Sequence, residues 1–149
     1  MTPTSTRDLT DPRALERRVR LTDFNCDASD EAGCQARVVV QWGQGQAFVG
    51  EATGEGSGRG KIRCAAEATA QALMQASEGK INLEVLAVKA VEGFDTVIVV
   101  VSLASQVGDV AERLVGSCLI RGQAPKGAVL AVLSATNRLF GHMVHGQPN

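Results

Sequence analysis

The stretch "GEGSGRGK", residues 54–61, holds the residue types best suited to binding chemistry. Gly54, Gly56, Gly58 and Gly60 alternate with side chains that include Arg59 and Lys61, and a helical pattern follows directly. Glycine admits close approach of a ligand or of a second backbone. The N–H groups that open a helix carry partial positive charge and attract a carboxylate or a phosphate, and Arg59 and Lys61 would add to that attraction. The competing reading is a plain strand-to-helix turn in which the glycines supply positive φ. Spacing excludes two nucleotide motifs. A P-loop runs Gly, four residues, then Gly-Lys-Ser/Thr; here five residues separate Gly54 from Gly60, and Ile62 stands in place of the hydroxyl. The pattern G-x-G-x-x-G fails because Arg59 occupies its sixth position when it starts at Gly54.

Little else in the chain could make or break bonds. His142 and His145 are the only histidines, and they sit in a Gly- and Pro-bounded tail with no carboxylate or cysteine beside them. A Ser-His-Asp or Cys-His arrangement would have to borrow from that tail. Of the four cysteines, Cys26 and Cys34 flank "DASDEAG", Cys64 falls on a helix and Cys118 on a strand. No Cys-x-x-Cys pair or zinc spacing occurs. A Cys26–Cys34 bridge across the hairpin loop is sterically open, but in a reducing compartment all four read as small packing residues. Asp27, Asp30 and Glu31 lie on that loop without calcium-loop spacing, and Asn137 reads as structural. The expectation is a protein that is not an enzyme and carries no metal or cofactor.

The elements that would position these residues repeat. Residues 18–26, 36–42 and 46–53 read as strands. Ile62, Ala65, Ala66, Thr69, Leu73 and Ala76 then recur at helical spacing, with Arg63, Glu67, Gln71 and Gln75 opposite and Gly79 as the stop. Residues 81–92, 94–104 and 110–122 are three more strands, with a turn at Gly93, and 128–140 is a second helix. The fold class is therefore α+β: two βββα units in tandem, antiparallel sheets with one long helix packed per unit. Phe48-Val49-Gly50 and Leu114-Val115-Gly116 lie 66 residues apart, an offset that also aligns Leu73 with Leu139. Residues 1–17 form a flexible segment with a short helix after Pro12, 18–141 a single domain, and 142–149 a disordered tail.

Composition narrows the partners. The chain has 149 residues and is 44% hydrophobic, yet its aromatic residues are only Phe24, Phe48, Phe94, Phe140 and Trp42, so the core must be built from Val, Leu, Ile and Ala. A net charge of −1 gives no field for nucleic acid or anionic lipid. Arg13, Arg17, Arg18 and Arg20 are offset by Asp11 and Glu16 and read as a solvated segment. The longest apolar run, 97–101, is far short of the roughly 18–20 residues of a membrane span, and the polar N-terminus has no apolar signal region, so a cytoplasmic protein is expected. Unpaired strand edges and a core poor in aromatics favour a homodimer. A charge at Val99 or Val115 would then abolish assembly.

The element order, the glycines before the first helix and "AVLSATNR" (131–138) in the second together resemble the C-terminal regulatory domain of 2-isopropylmalate synthase and citramalate synthase. That family carries a pattern such as A-x-x-x-A-x-N-R at this place. "INLEVLAVKAVEGFDTVIVVVSL" is similar to its paired strands, and the likeness spans roughly residues 18–141. It implies a stand-alone regulatory module that dimerises and binds a small amino or keto acid, or a partner protein, at the glycine-loop ends of its helices. Gly54, Gly56, Gly58, Arg59, Gly60 and Lys61 would contribute from the first unit, and Gly122 from the second. The chain departs from the family's Gly-x-Gly-Pro-Val-Asp-Ala loop: Arg59 replaces the proline and Lys61 the aspartate. No acidic residue precedes the second helix. A structural scaffold that binds no small molecule is the alternative.

Overall fold

In the computed structural model the described residues are 18–29, 31 and 33–142. The short helix expected after Pro12, and His145 with most of the expected tail, lie outside them. Strands β1 (Arg20–Ser29), β2 (Gly33–Trp42) and β3 (Gln46–Gly54) form one antiparallel sheet in sequence order, and helix α1 (Gly58–Ala76) follows. Strands β4 (Ile81–Gly93), β5 (Thr96–Val107) and β6 (Val110–Ile120) form a second such sheet, followed by α2 (Ala124–His142). The chain is thus α+β, two βββα units in tandem. No helix among the described residues is long and apolar enough to cross a membrane.

Alternation in the strands sets the faces. In β2, Cys34, Ala36, Val38, Val40 and Trp42 are buried while Gln35 and Arg37 point away, the period of two expected of a half-covered sheet. In β5, Val99, Val101 and Leu103 do the same. Helix α1 packs on β2 and β3 and also meets β4, the first strand of the other unit; α2 packs on β5 and β6 and reaches β1. The helices also pack on each other, so each touches both sheets. Buried positions therefore nearly encircle α1: Cys64, Ala65, Ala66, Ala68, Thr69, Ala70, Ala72, Leu73 and Ala76. Thr69 and Thr136, buried and polar, donate their hydroxyls to the carbonyls of Ala65 and Val132, 2.7 and 2.9 Å away.

Alanine suits this position because the helices come down onto the strands at backbone distance. A Cβ built on Gly50 would lie 2.0 Å from the Ala68 carbonyl oxygen and 2.5 Å from the Ala72 nitrogen. On Gly116 it would lie 2.2 Å from the Ala131 oxygen and 2.7 Å from the Ala135 nitrogen. The two glycines are the 66-residue echo seen in the sequence, but the helix residues they meet are 63 apart. Leu73 is therefore equivalent in packing to Thr136, not to Leu139, because α2 crosses its sheet about one turn nearer its start.

Further ties hold the units together. Trp42 at the end of β2 meets Phe140 of α2 edge to face, with ring centroids 5.0 Å apart at 87°, a geometry worth about 0.5–1.5 kcal/mol beyond area burial. A bulge between Val85 and Ala87 interrupts the β4–β5 ladder, and the Val85 carbonyl accepts from the Arg63 guanidinium at 2.9 Å. The first helix ends where expected: Ser77 is the C-cap, and Gly79, at φ +81, donates its amide back to the Met74 carbonyl. Its start, and that of α2, come four residues earlier than the apolar pattern places them.

Gly50→Ala and Gly116→Ala are expected to cost at least about 2 kcal/mol each, since a methyl would have to displace helix backbone. Urea denaturation followed by circular dichroism measures this.

Candidate functional site

The glycine stretch is not an open loop. Gly54 is the last residue of β3, and Gly58, Arg59, Gly60 and Lys61 already form the first turn of α1. Ser57 is the N-cap, and its hydroxyl accepts from the Gly60 amide at 3.0 Å, as short polar side chains do at this position. None of the four glycines has positive φ, so the turn reading is corrected along with the open-loop one. Gly56 and Gly60 are required by close approach: added Cβ atoms would lie 2.3 Å from the Ser29 oxygen and 2.2 Å from the Glu55 oxygen. The Gly54 carbonyl in turn presses on Gly33 of the β1–β2 hairpin. Gly58 has open space, and Arg59 is exposed.

Lys61 has a different setting. Together with Phe24, Asn25 and Cys26 of β1 and Gln123, Ala124 and Pro125 at the start of α2, it lines a cleft of about 550 Å³. Gly122, at φ +101, makes the bend that delivers Gln123 to it. The first turns of both helices therefore meet at one opening, and neither turn contains an acidic residue to offset its N–H groups. Of the seven residues singled out in the sequence, the fold brings Lys61 and the segment following Gly122 together. It gives Gly56 and Gly60 packing roles, whereas a Cβ at Gly54 would meet nothing nearer than 3.9 Å. Phe24, Asn25, Cys26, Gln123, Ala124 and Pro125 were missed. Pro125 was the available signal, because proline is tolerated in a helix's first turn, and it marks α2 as starting before 128.

Three of the cysteines converge beside the cleft. The Cys26 and Cys34 sulfurs are 3.3 Å apart, and the Cys64 thiol donates to the Ala52 carbonyl at 3.1 Å. All four cysteines are free thiols. Burial, then the neighbouring Cys34, push Cys26 up to about 11, with Lys61 pulling the other way. The same two causes push Cys64 up to about 12. These groups are protonated at neutral pH. No group of three or more His, Cys, Asp or Glu side chains suited to a metal occurs among the described residues. Among the described residues of the cleft wall, Lys61 and Cys26 are the titratable side chains.

No protein-family model matches the chain, and no curated protein sequence matches it.

Gly56→Ala is expected to lose about 2 kcal/mol or more through the clash with Ser29. Gly58→Ala, a helical position with free space, should be neutral or gain up to about 1 kcal/mol. Comparing their denaturation midpoints separates packing glycines from dispensable ones.

Proposed function

We propose that this chain is a regulatory module that binds a small carboxylate, such as an amino or keto acid, in the Lys61 cleft. One observation carries the reading: Lys61, in the first turn of α1, lines a single cleft together with the start of α2, and neither first turn holds an acidic side chain. An ammonium group with helix N–H dipoles is a general anion-binding combination. Phe24, Ala124 and Pro125 supply apolar wall for a short side chain, and Gln123 supplies a hydrogen-bonding group. Among the described residues no histidine or carboxylate lines the cleft, and the reading is binding without turnover. The resemblance of 131–138 to the synthase regulatory domain agrees with it.

Thermal denaturation against a panel of amino acids and 2-oxo acids tests this. A ligand at 100 times its Kd adds about 2.7 kcal/mol, and Lys61→Ala should weaken its binding at least about tenfold, the loss of one charge-assisted hydrogen bond. No response to any panel member, or equal affinity in Lys61→Ala, would refute it.

A second reading, an assembly scaffold that binds no small molecule, is favoured by the outer face of the second sheet. Val91, Ile98 and Leu119 are in register across β4, β5 and β6, with Val100 and Val115 beside them. Val115 and Leu119 are 66% and 65% exposed, and Phe94 stands fully exposed in the adjoining turn. The occupant we assign is a second copy of this chain, giving the homodimer. Val115→Lys should convert a dimer to a folded monomer in sedimentation equilibrium, whereas a wild-type chain that stays monomeric at tens of micromolar rules the dimer out. Val99 cannot serve in such a test, because it is fully buried against the helices and a charge there would unfold the domain.

A further inference from the structure

Cys26 pairs with Ala36, and Cys34 with Ala28, so the two cysteines are diagonal neighbours on the helix-facing side of the β1–β2 hairpin. Their thiols touch at 3.3 Å. Cys26 is half-buried on an edge strand and opens into the cleft, whereas Cys34 is 2% exposed. From these positions we infer that Cys26 and Cys34 form a dithiol modification site that reacts with low-molecular-weight disulfides and closes to an intramolecular disulfide.

The accessible partner acts first. Cys26, as its thiolate, attacks one sulfur of the small disulfide; a Cys26–S bond forms, the small S–S bond breaks, and the departing thiolate takes up the proton that Cys26 released. Cys34 then loses its proton and attacks the Cys26 sulfur, expelling the second small thiol, which is protonated in turn. The protein gives up two electrons and two protons, and the small disulfide becomes two thiols. Strand β1 can follow the shortening between the sulfurs because it is hydrogen-bonded to β2 alone. Cys64 is the rival partner of Cys34, but its thiol is held on the Ala52 carbonyl and it lies 1% exposed within α1. Burial and Cys34 keep the Cys26 proton in place, so exchange is slow at neutral pH and quickens as pH rises. This chemistry is independent of what the cleft binds, and its failure would leave the carboxylate reading untouched.

The test treats the full chain with oxidised glutathione, quenches with acid, unfolds, alkylates and maps tryptic peptides. Residues 21–37 form one tryptic segment holding both cysteines. In the wild type that segment should lose both alkylatable thiols, carry no glutathione and regain both thiols with dithiothreitol. Cys34→Ser should trap one glutathione on Cys26, and Cys26→Ser should leave Cys34 reduced, its reaction at least about tenfold slower. A Cys34–Cys64 link, a glutathione that persists on wild-type Cys26, or four free thiols after treatment would overturn the inference. The wild-type map decides without the variants, should either fold poorly.

Discussion

Contact between helix and strand backbones at Gly50 and Gly116 is the constraint on which the rest of the molecule depends. At these points no Cβ fits between the layers, and the consequences spread outward. A helix held that close can present little more than methyl groups, hence the run of buried alanines in α1. Alanine loses no rotamer freedom on burial, and valine, which fills the facing strands, loses little because it is already stiff at χ1. The core thus offsets a modest apolar area with a low entropic cost, and one edge-to-face aromatic pair, Trp42 with Phe140, suffices to lock its end.

The same constraint places the cleft. Both helices are fixed to their sheets at one glycine each, but α1 has about one more turn before that point than α2. The extra turn carries the start of α1 beyond β3, where the connecting segment folds back on the β1–β2 hairpin through Gly56 and Ser29. It also brings Lys61 across to Gln123, Ala124 and Pro125. Equal registers would give the two units matching helix starts; the mismatch makes them different, and the difference is where the charged side chain and the thiols sit.

Element order was legible because alternation in 36–42 and 97–103 and the helical spacing of 62–76 are strong, and burial follows them closely. The helix starts were not legible. Gly58 to Gly60 and Pro125 to Gly127 have loop-like composition, yet the first turn of a helix makes few of its own hydrogen bonds and tolerates such residues. The role of the glycines was ambiguous for a physical reason: positive φ and close approach both demand a missing Cβ, and only the neighbours distinguish them. Part of the cleft lining was legible as Lys61 and the bend at Gly122. The nearness of Cys26 and Cys34 was legible, since they flank one hairpin loop; that Cys64 joins them was not, since it reaches Cys34 from 30 positions away and only the packing of α1 on β2 brings them together.

Inside, the two units follow one plan; outside, they diverge. The outer face of the first sheet carries Asp23, Asn25, Gln35, Arg37 and Glu51 around Val39 and Val49, with Arg37 and Asp23 3.9 Å apart. Such a face is stable in water without a partner. The matching face of the second sheet leaves Val91, Val115 and Leu119 exposed, a hydration cost that packing within the unit cannot relieve, because those side chains point away from both helices. The cleft lies on the other side of the sheets, among strand residues that face the helices. A second copy seated on the apolar face would cover that face without closing the cleft, so the proposed dimer and the proposed carboxylate site would make no conflicting demands on the fold.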